Sequence, residues 1–243
     1  DVQLNYIDIR LRVPSDIPRL GDAPGERTTD ISKNIIDING KGWMPEPAVY
    51  LEWDWAIIKP LRVIAGLRFD YHAASKTSTW NPRLNLVWQT PWKPLSLKAS
   101  VGLFSQAPQP QEASVEFGNP DVKPEHSIHY TFSGHYRWTK YFESALTFFY
   151  KDMYDLIVRS NKIIVRDGKQ VSEALNNAGI GRAYGIEVMI RHKPYRKIFG
   201  WISYTLSLSE RQDTPDKEAY LFNYDQTHIL TFVAAYKIGW GFS

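Results

Sequence analysis

The histidines and their serine neighbours are the side chains whose types could carry hydrolysis or bind a metal ion. His129 and His135 have the spacing of one strand face, but six residues at about 3.3 Å each separate them by roughly 20 Å, too far for one ion. Ser127 and Ser133 share that face, so a hydrolytic serine with a histidine is kept as an alternative. The sequence predicts no metal site, no cofactor and no catalytic residue, and therefore a protein that is not an enzyme.

A second set of side chains lies mainly in the connections between predicted strands and could bind a ligand. Aromatic faces stack on flat rings and sugars, and arginine pairs with anionic groups. The predicted ligand-binding residues are Trp80, Phe117, His126, Arg182, Tyr184, Tyr220, Phe222 and Tyr224. Packing of the loops on themselves is the competing explanation for any single member, so the set is a hypothesis about a region.

The elements that must hold these residues are strands, because apolar and polar residues alternate with a period of two. In "GWISYTLSLSE" (200–210), the apolar row Ile202, Tyr204, Leu206 and Leu208 alternates with serine and threonine. The same alternation recurs in "LRVIAGLRFDYH", "RLNLVWQ", "LSLKASVGL" and "SIHYTFSGHYRW". These segments are about nine to twelve residues long, which is the length that a tilted strand needs to cross a bilayer.

The lengths of the connections separate two all-β folds, a soluble sandwich and a transmembrane barrel. Short links, such as "TPWKP" (90–94) and "TKY" (139–141), alternate with long ones, such as 105–125 and 151–184. Outer-membrane barrels have this asymmetry because tight turns lie at one end and long loops at the other. The sequence therefore predicts an all-β, antiparallel, transmembrane up-and-down β-barrel with about ten strands.

Composition favours a membrane barrel over other classes. Aromatic residues make up 14% of the chain, with 9 Trp and 14 Tyr, as expected where rings line both membrane interfaces. No apolar run is long enough for a transmembrane helix. The net charge of +3 arises without a basic stripe, so nucleic acid is not expected as a partner. The chain has no cysteine, which removes disulfides and thiolate chemistry.

The strands fill the chain without a linker between domains, so we expect one outer-membrane β-barrel segment over residues 1–243. A long loop is predicted over 14–47. Within 161–175 we expect a hairpin that extends above the membrane, with Asp167 and Gly168 as its turn.

The ends of the chain lead to a further expectation. The chain begins without a signal peptide and stops shortly after its last predicted strand, 227–238. An open sheet leaves unpaired edges that hydrocarbon does not tolerate. We therefore expect these strands to be the middle part of a larger barrel, with a small self-closed barrel as the alternative.

Several motifs, taken together and in order, resemble the barrel of TonB-dependent outer-membrane receptors. "GNPDVKPEHSIHYTFSGHY" (118–136) resembles the Asn-Pro-x-x-Lys-Pro-Glu segment of that family, where an outer loop enters a strand. "NNAGIGRAYGIEVMIR" (176–191) is similar to its Asn…Arg…Gly-x-Glu segment. "AGLRFDY", "NPRLNLVW" and "SYTLSLSE" match its strand patterns, so that the resemblance covers residues 49–235.

The resemblance implies a bacterial outer-membrane receptor for nutrient uptake, built as a barrel of about 22 strands around an N-terminal plug. Such receptors transport scarce ligands of the ferric siderophore, cobalamin, haem or glycan class with energy relayed by TonB. The implied partners are outer-membrane lipid, an extracellular small molecule or glycan, and the TonB system. We expect the plug and the last strands to be absent from this chain. Inside the barrel, Arg182 or Arg191 is expected to balance the charge of Glu187.

The alternatives come from other classes. One is a small self-closed porin or barrel enzyme, whose activity would depend on lumenal serine and histidine. Another is a soluble β-sandwich binding protein, whose apolar strand faces would pack on a second sheet.

Overall fold

The chain is described by a computed structural model that covers residues 2–14, 35–73, 75–115, 118–166 and 168–238. Across these ranges no helix has the length and apolar character that a membrane crossing requires. The strands are β1 (Val2–Pro14), β2 (Ile35–Ile58), β3 (Leu61–His72), β4 (Thr77–Gln89), β5 (Leu95–Gln106), β6 (Glu125–Arg137), β7 (Phe142–Arg166), β8 (Lys169–Tyr195), β9 (Ile198–Gln212), β10 (Tyr220–Leu221) and β11 (His228–Tyr236). Two residues named above, Phe117 and Asp167, lie outside the described ranges.

The chain divides into two compact units, Asp1–Pro47 and Ala48–Ser243. In the first unit, β1 pairs antiparallel with the first half of β2 over the whole length of β1. The loop predicted over 14–47 is therefore wrong for 35–47. The glycines and prolines of that stretch are turn signals, but a strand that is paired along one side tolerates both.

In the second unit, each strand from β2 to β9 pairs antiparallel with the next strand in the chain. β9 also pairs with β10 and with β11. Short links join β2 to β3, β4 to β5, β6 to β7 and β8 to β9. At the other end, long connections separate β5 from β6 (107–124) and β9 from β11 (213–227, which contain β10). The long link predicted over 151–184 is wrong, because these residues extend β7 and β8 and leave only two residues between the two strands. The predicted antiparallel up-and-down fold is confirmed. The described residues form eleven strands rather than about ten, because the two-residue β10 is added.

Two sets of aromatic rings border the apolar face of this sheet. Tyr130, Tyr150 and Tyr184 lie directly opposite one another on β6, β7 and β8, with ring centroids 6.3 Å apart in each pair. We call these three residues the upper girdle. Near the short turns, the rings of Trp92 and Tyr136 lie 5.0 Å apart and form the lower girdle. Along β6 the two girdles are separated by about 20 Å of strand, so that they border the apolar rows at both ends.

The apolar row of β9 shows the faces that the sequence predicts. Ile202, Tyr204 and Leu206 are 40%, 39% and 40% exposed, and Leu208 is half-buried. Aliphatic and aromatic side chains left this open to the surroundings along a whole strand require an apolar medium. The alternating serines and threonines occupy the opposite, polar face.

Gly185 lies where β8 and β9 approach closely. A Cβ at this position would overlap the carbonyl oxygen of Leu206 and would lie 2.9 Å from Cζ of Phe149. We expect Gly185→Ala to lower the free energy of unfolding by about 1–3 kcal/mol, because the neighbouring backbone would have to move. Gly134→Ala is the matched control, since its Cβ would meet Leu97 Cδ2 at an ordinary 3.6 Å. Equal denaturation midpoints in urea for the two variants would contradict the close approach.

Candidate functional site

Four side chains meet at the end of the sheet that carries the long connections. Lys151 of β7 and Arg211 of β9 lie on the polar face, and Phe222 and Tyr224 come from the segment that follows β10. This segment folds back onto β9, because the N–H of Phe222 donates to the carbonyl oxygen of Ser209 at 2.8 Å. The four residues line an open pocket of about 320 Å³ together with Asp225, whose carboxylate accepts hydrogen bonds from the Ser209 N–H and from Thr227 Oγ1. We name the four residues the mouth cluster.

Arg211 has neutral partners for its positive charge. Its guanidinium carbon lies 4.5 Å from the centroid of the Phe222 ring, and Nη1 donates to Ser209 Oγ at 3.2 Å and to the Glu210 carbonyl oxygen at 3.0 Å. Among the described residues, no carboxylate lies within ion-pair distance of it. Burial lowers the pKa of Arg211, although the charge of Glu125 opposes the shift, and the group stays cationic. A half-buried cation without a counter-ion is suited to an anion.

Arg211 differs in its partners from several arginines elsewhere on the polar face. Several arginines in other parts of this face have acidic partners, as in the pairs Arg62–Asp54, Arg68–Asp70 and Arg191–Glu143. Such pairs neutralise one another and leave little net field. Within the described ranges Lys151 has no carboxylate at ion-pair distance either. Lys151 and Arg211 therefore place two positive charges outside ion pairs beside the aromatic rings of the mouth cluster, with the carboxylate of Asp225 in the same pocket.

A basic row continues from the mouth cluster along the polar face. The register places Arg83, Gly102, His129 and Lys151 side by side on β4, β5, β6 and β7. The stem of Arg83 lies across Gly66, where a Cβ would be 2.9 Å from Arg83 Cγ. Glycine at 66 thus lets the arginine lie flat against the sheet and leaves the space above it open.

Part of the predicted ligand-binding set comes together here. Tyr220, Phe222 and Tyr224 belong to one segment beside Arg211. The rings of Phe222 and Tyr224 meet edge to face at 5.5 Å, and Tyr224 is 83% exposed. The hydroxyl of Tyr220 donates to Asp213 Oδ1 at 3.0 Å. The sequence prediction did not include Arg211, although the period of two extends the polar row of β9 to it.

Three other members of the predicted set lie on the apolar face. Trp80 is directly opposite Phe69, with ring centroids 4.8 Å apart, and Tyr184 is part of the upper girdle. Arg182 shares the face of Tyr184 and forms an ion pair with Glu210. These positions are typical of the border between lipid and water.

The remaining members are His126 and Phe117. His126 Nδ1 lies 2.9 Å from Ser105 Oγ, and its ring stacks on Tyr154 at 5.2 Å. It is not part of the lining of the mouth cluster's pocket. Phe117 is outside the described ranges.

The charge balance predicted for Glu187 is wrong. Arg191 pairs with Glu143, and Arg182 lies an odd number of residues from Glu187 and so occupies the other face. Ser203 Oγ approaches Glu187 Oε1 at 3.4 Å instead.

Glu125, at the start of β6, sets the electrostatic surroundings of Arg211. Its Oε1 accepts a hydrogen bond from the N–H of Ile157 at 2.8 Å. Burial raises the pKa of Glu125 above its ordinary value of 4.5, although that hydrogen bond and the charge of Arg211 oppose the shift. Glu125 therefore takes up a proton at a higher pH than an ordinary glutamate does.

We expect an anion to bind the mouth cluster more tightly as the pH falls from about 7 to about 5, by about three- to tenfold, because protonation of Glu125 removes a negative charge near Arg211. The measurement is the Kd of an anionic ligand across this range. Glu125→Gln should bind tightly throughout and lack this dependence. Protonation of the ligand itself affects both proteins equally, so parallel pH profiles would contradict the role of Glu125.

Comparison with known proteins assigns the chain to a family. Residues 4–243 match the family model described as TonB dependent receptor-like, beta-barrel. The iron-regulated outer membrane virulence protein of Vibrio cholerae serotype O1 is 32% identical over 145 residues, which cover 55% of this chain and 21% of that protein. The chain thus spans about a fifth of the length of the curated relative it matches.

Solved structures share the fold at 17% sequence identity. A mutant of the ferric enterobactin receptor PfeA from Pseudomonas aeruginosa gives a TM-score of 0.62, covering 88% of this chain and 36% of that one. The siderophore receptor PirA from Acinetobacter baumannii gives 0.59, with 86% and 36% covered. The FrpB iron transporter from Neisseria meningitidis gives 0.58, with 82% and 31% covered.

The family decides between the alternatives left open by the sequence. A soluble sandwich is wrong, because the strands of the second unit pair in one continuous sheet and the family is that of an outer-membrane barrel. The expectation that the protein is a receptor and not an enzyme is confirmed by the family, as is its location in the bacterial outer membrane. In such a barrel the apolar face meets lipid and the polar face lines the lumen. The chain belongs to the β-barrel family of TonB-dependent outer-membrane receptors.

Proposed function

We propose that the chain is part of a receptor that takes up a ferric siderophore, and that the mouth cluster contacts this ligand. The observation that carries the proposal is the pairing of two cations without counter-ions, Lys151 and Arg211, with the rings of Phe222 and Tyr224 at the mouth of the barrel wall. The register extends this charge sideways along the polar face, from Lys151 past His129 to Arg83.

The chemistry of a ferric catecholate siderophore matches this arrangement. The complex carries net negative charge on its oxygens and presents flat aromatic rings. Arg211 can pair with such oxygens, and Phe222 and Tyr224 can stack on the rings. A neutral glycan would use the rings but not the charges. Haem also combines a flat ring with carboxylates and is therefore the second candidate.

The names of the relatives support an iron-containing ligand. The Vibrio cholerae relative is iron-regulated, and the structural relatives include a ferric enterobactin receptor and an iron transporter. Uptake through such a barrel needs an energy source, and we propose that TonB supplies it through a plug. The family match over residues 4–243 supports the view that the whole chain is one barrel segment.

Uptake of radioactive iron by cells that lack other siderophore receptors tests the proposal. Cells that express the receptor should accumulate iron from a ferric catecholate siderophore, and deletion of TonB should stop accumulation. Binding is measured separately, as quenching of tryptophan fluorescence by the siderophore, by haemin, by cobalamin and by an oligosaccharide. Tight binding of haemin without binding of the siderophore would replace the proposed ligand with haem. Binding of the oligosaccharide alone would overturn the proposal.

A further inference from the structure

Two motifs that the proposed function leaves without a role, "GNPDVKPE" (118–125) and "NNAG" (176–179), are fastened to each other. Asn177 Oδ1 accepts a hydrogen bond from the N–H of Lys123 at 2.8 Å, and Asn177 Nδ2 donates to the Lys123 carbonyl oxygen at 2.9 Å. The same Nδ2 donates to the carbonyl oxygen of Asp155 at 2.8 Å. One side chain of β8 therefore holds the loop that precedes β6 and a backbone group of β7.

The contact with Asp155 explains why an asparagine is needed. Asp155 has a φ of +56° and lies at a break in the register between β7 and β8, where the regular pairing between Met153 and Leu156 is interrupted. A carbonyl oxygen at such a break loses its ladder partner and needs another donor. Asn177 supplies that donor and uses its remaining groups on Lys123.

Asn119 fastens the same two segments at a second point. It is 4% exposed, its Nδ2 donates to the carbonyl oxygen of Leu175 at 2.7 Å, and its Oδ1 accepts from Arg166 Nη2 at 2.7 Å. Arg166 also pairs with Asp121 Oδ2 at 3.0 Å. Between the two fasteners lies Val122, which is 2% exposed. We call Asn119, Arg166 and Asn177 the clasp.

The clasp is connected to the mouth cluster through Glu125. The fastened loop ends at Glu125, whose Oε1 accepts from Ile157 on β7, and the charge of Glu125 acts on Arg211. Opening of the loop alone would break the bonds of Asn177 and would leave the amide of Asn119, which is 4% exposed, without partners, which is costly for a buried group. The loop and the hairpin are therefore held as one body.

We propose that the clasp makes residues 118–125 and the β7–β8 hairpin a single rigid unit, and that Asn177 is a positioning residue that keeps Glu125 at a fixed distance from Arg211. The unit also holds the backbone at Glu112, whose carbonyl oxygen accepts from the Asn119 N–H at 2.8 Å. The two segments then move together, or not at all, when ligand binds. The clasp borders the site of the proposed function. Only the uptake measurement rests on that function, because proteolysis is followed without a ligand.

Proteolysis of the ligand-free receptor in outer membranes tests the clasp without a ligand. Endoproteinase Glu-C cleavage after Glu112 should become at least about tenfold faster in Asn177→Ala, because release of the loop exposes its backbone. Asn161→Ala is the matched control, since Asn161 is exposed on the same hairpin and outside the clasp. Equal cleavage rates in Asn177→Ala and Asn161→Ala would overturn the proposal.

A second variant keeps the test decisive if Asn177→Ala does not fold. Folding is checked by the heat-dependent shift of the barrel in gel electrophoresis. Arg166→Ala removes the bonds to Asn119 and Asp121 near the tip of the hairpin and leaves Asn177 in place. It should also speed cleavage after Glu112, by at least about threefold. An unchanged rate in this folded variant would count against the clasp.

Cross-linking tests whether the two segments must separate for uptake. The chain has no cysteine, so Asp121→Cys with Arg166→Cys gives a single pair for a short bismaleimide. The cross-link takes the place of the ion pair between Asp121 and Arg166. Because we expect the segments to move together, the cross-linked receptor should bind and take up siderophore within about twofold of the wild type. Loss of uptake only after cross-linking would overturn the single unit. If the wild type takes up no siderophore, the proposed function fails while the proteolysis result still decides the clasp.

Discussion

Replacement of Arg211 by glutamine should weaken binding of a ferric catecholate siderophore by about 30- to 150-fold, which corresponds to about 2–3 kcal/mol. Arg211 is half-buried and its charge has only neutral hydrogen-bond partners among the described residues. An anionic oxygen placed beside it would therefore gain a charge-assisted hydrogen bond without displacing a carboxylate. Glutamine keeps the polarity and much of the volume of the side chain but not the charge. The measurement is the Kd from quenching of tryptophan fluorescence.

Arg196→Gln is the matched control for this loss of charge. Arg196 lies on the short turn between β8 and β9, at the opposite end of the sheet, with its guanidinium 5.3 Å from the ring centroid of Tyr195. Both variants lose one positive charge, so the long-range field of the protein changes by the same amount. Arg196→Gln should change the Kd by less than about twofold. If the two variants weaken binding equally, Arg211 does not contact the ligand.

Introduction of arginine at Leu146 should lower the free energy of unfolding by about 2–4 kcal/mol. Leu146 lies on the apolar face opposite Val188 and is 40% exposed, with Phe142 and Tyr150 of the same strand at equal distances on either side. In the barrel this position is near the middle of the apolar band, where a guanidinium loses its water. The measurement is reversible unfolding in urea from phospholipid vesicles.

Thr205→Arg separates the effect of lipid from the effect of size. Thr205 lies on the polar face, directly opposite Glu187 on β8. An arginine there would meet lumenal water and a carboxylate, so we expect a change within about 1 kcal/mol. Losses of equal size at positions 146 and 205 would show that the two faces have been assigned to the wrong environments.

The face of each residue could be read from the sequence. Alternation is a property of consecutive residues, and a strand fixes it wherever the pattern holds. The row from Ile202 to Leu208 was predicted in this way. The same rule applied to Trp80 and Tyr184 would have placed them on the apolar face, and applied to Arg182 it would have removed that residue as a partner of Glu187. The motif order, read over 49–235, was likewise enough to indicate the receptor family.

The neighbours across the sheet and above it were decided only by the tertiary structure. Lys151 and Arg211 line one pocket because β7, β8 and β9 pair in one register, and Phe222 joins them because its segment folds back onto Ser209. Asn119 reaches Leu175 across 56 residues. Such contacts depend on which strands pair, in which register, and on how long loops fold on the strand ends. The local pattern carries none of this information, because the same alternation is compatible with many registers and loop paths. The sequence by itself therefore determined the fold class and the two faces of the sheet, whereas the tertiary structure decided which residues share a site.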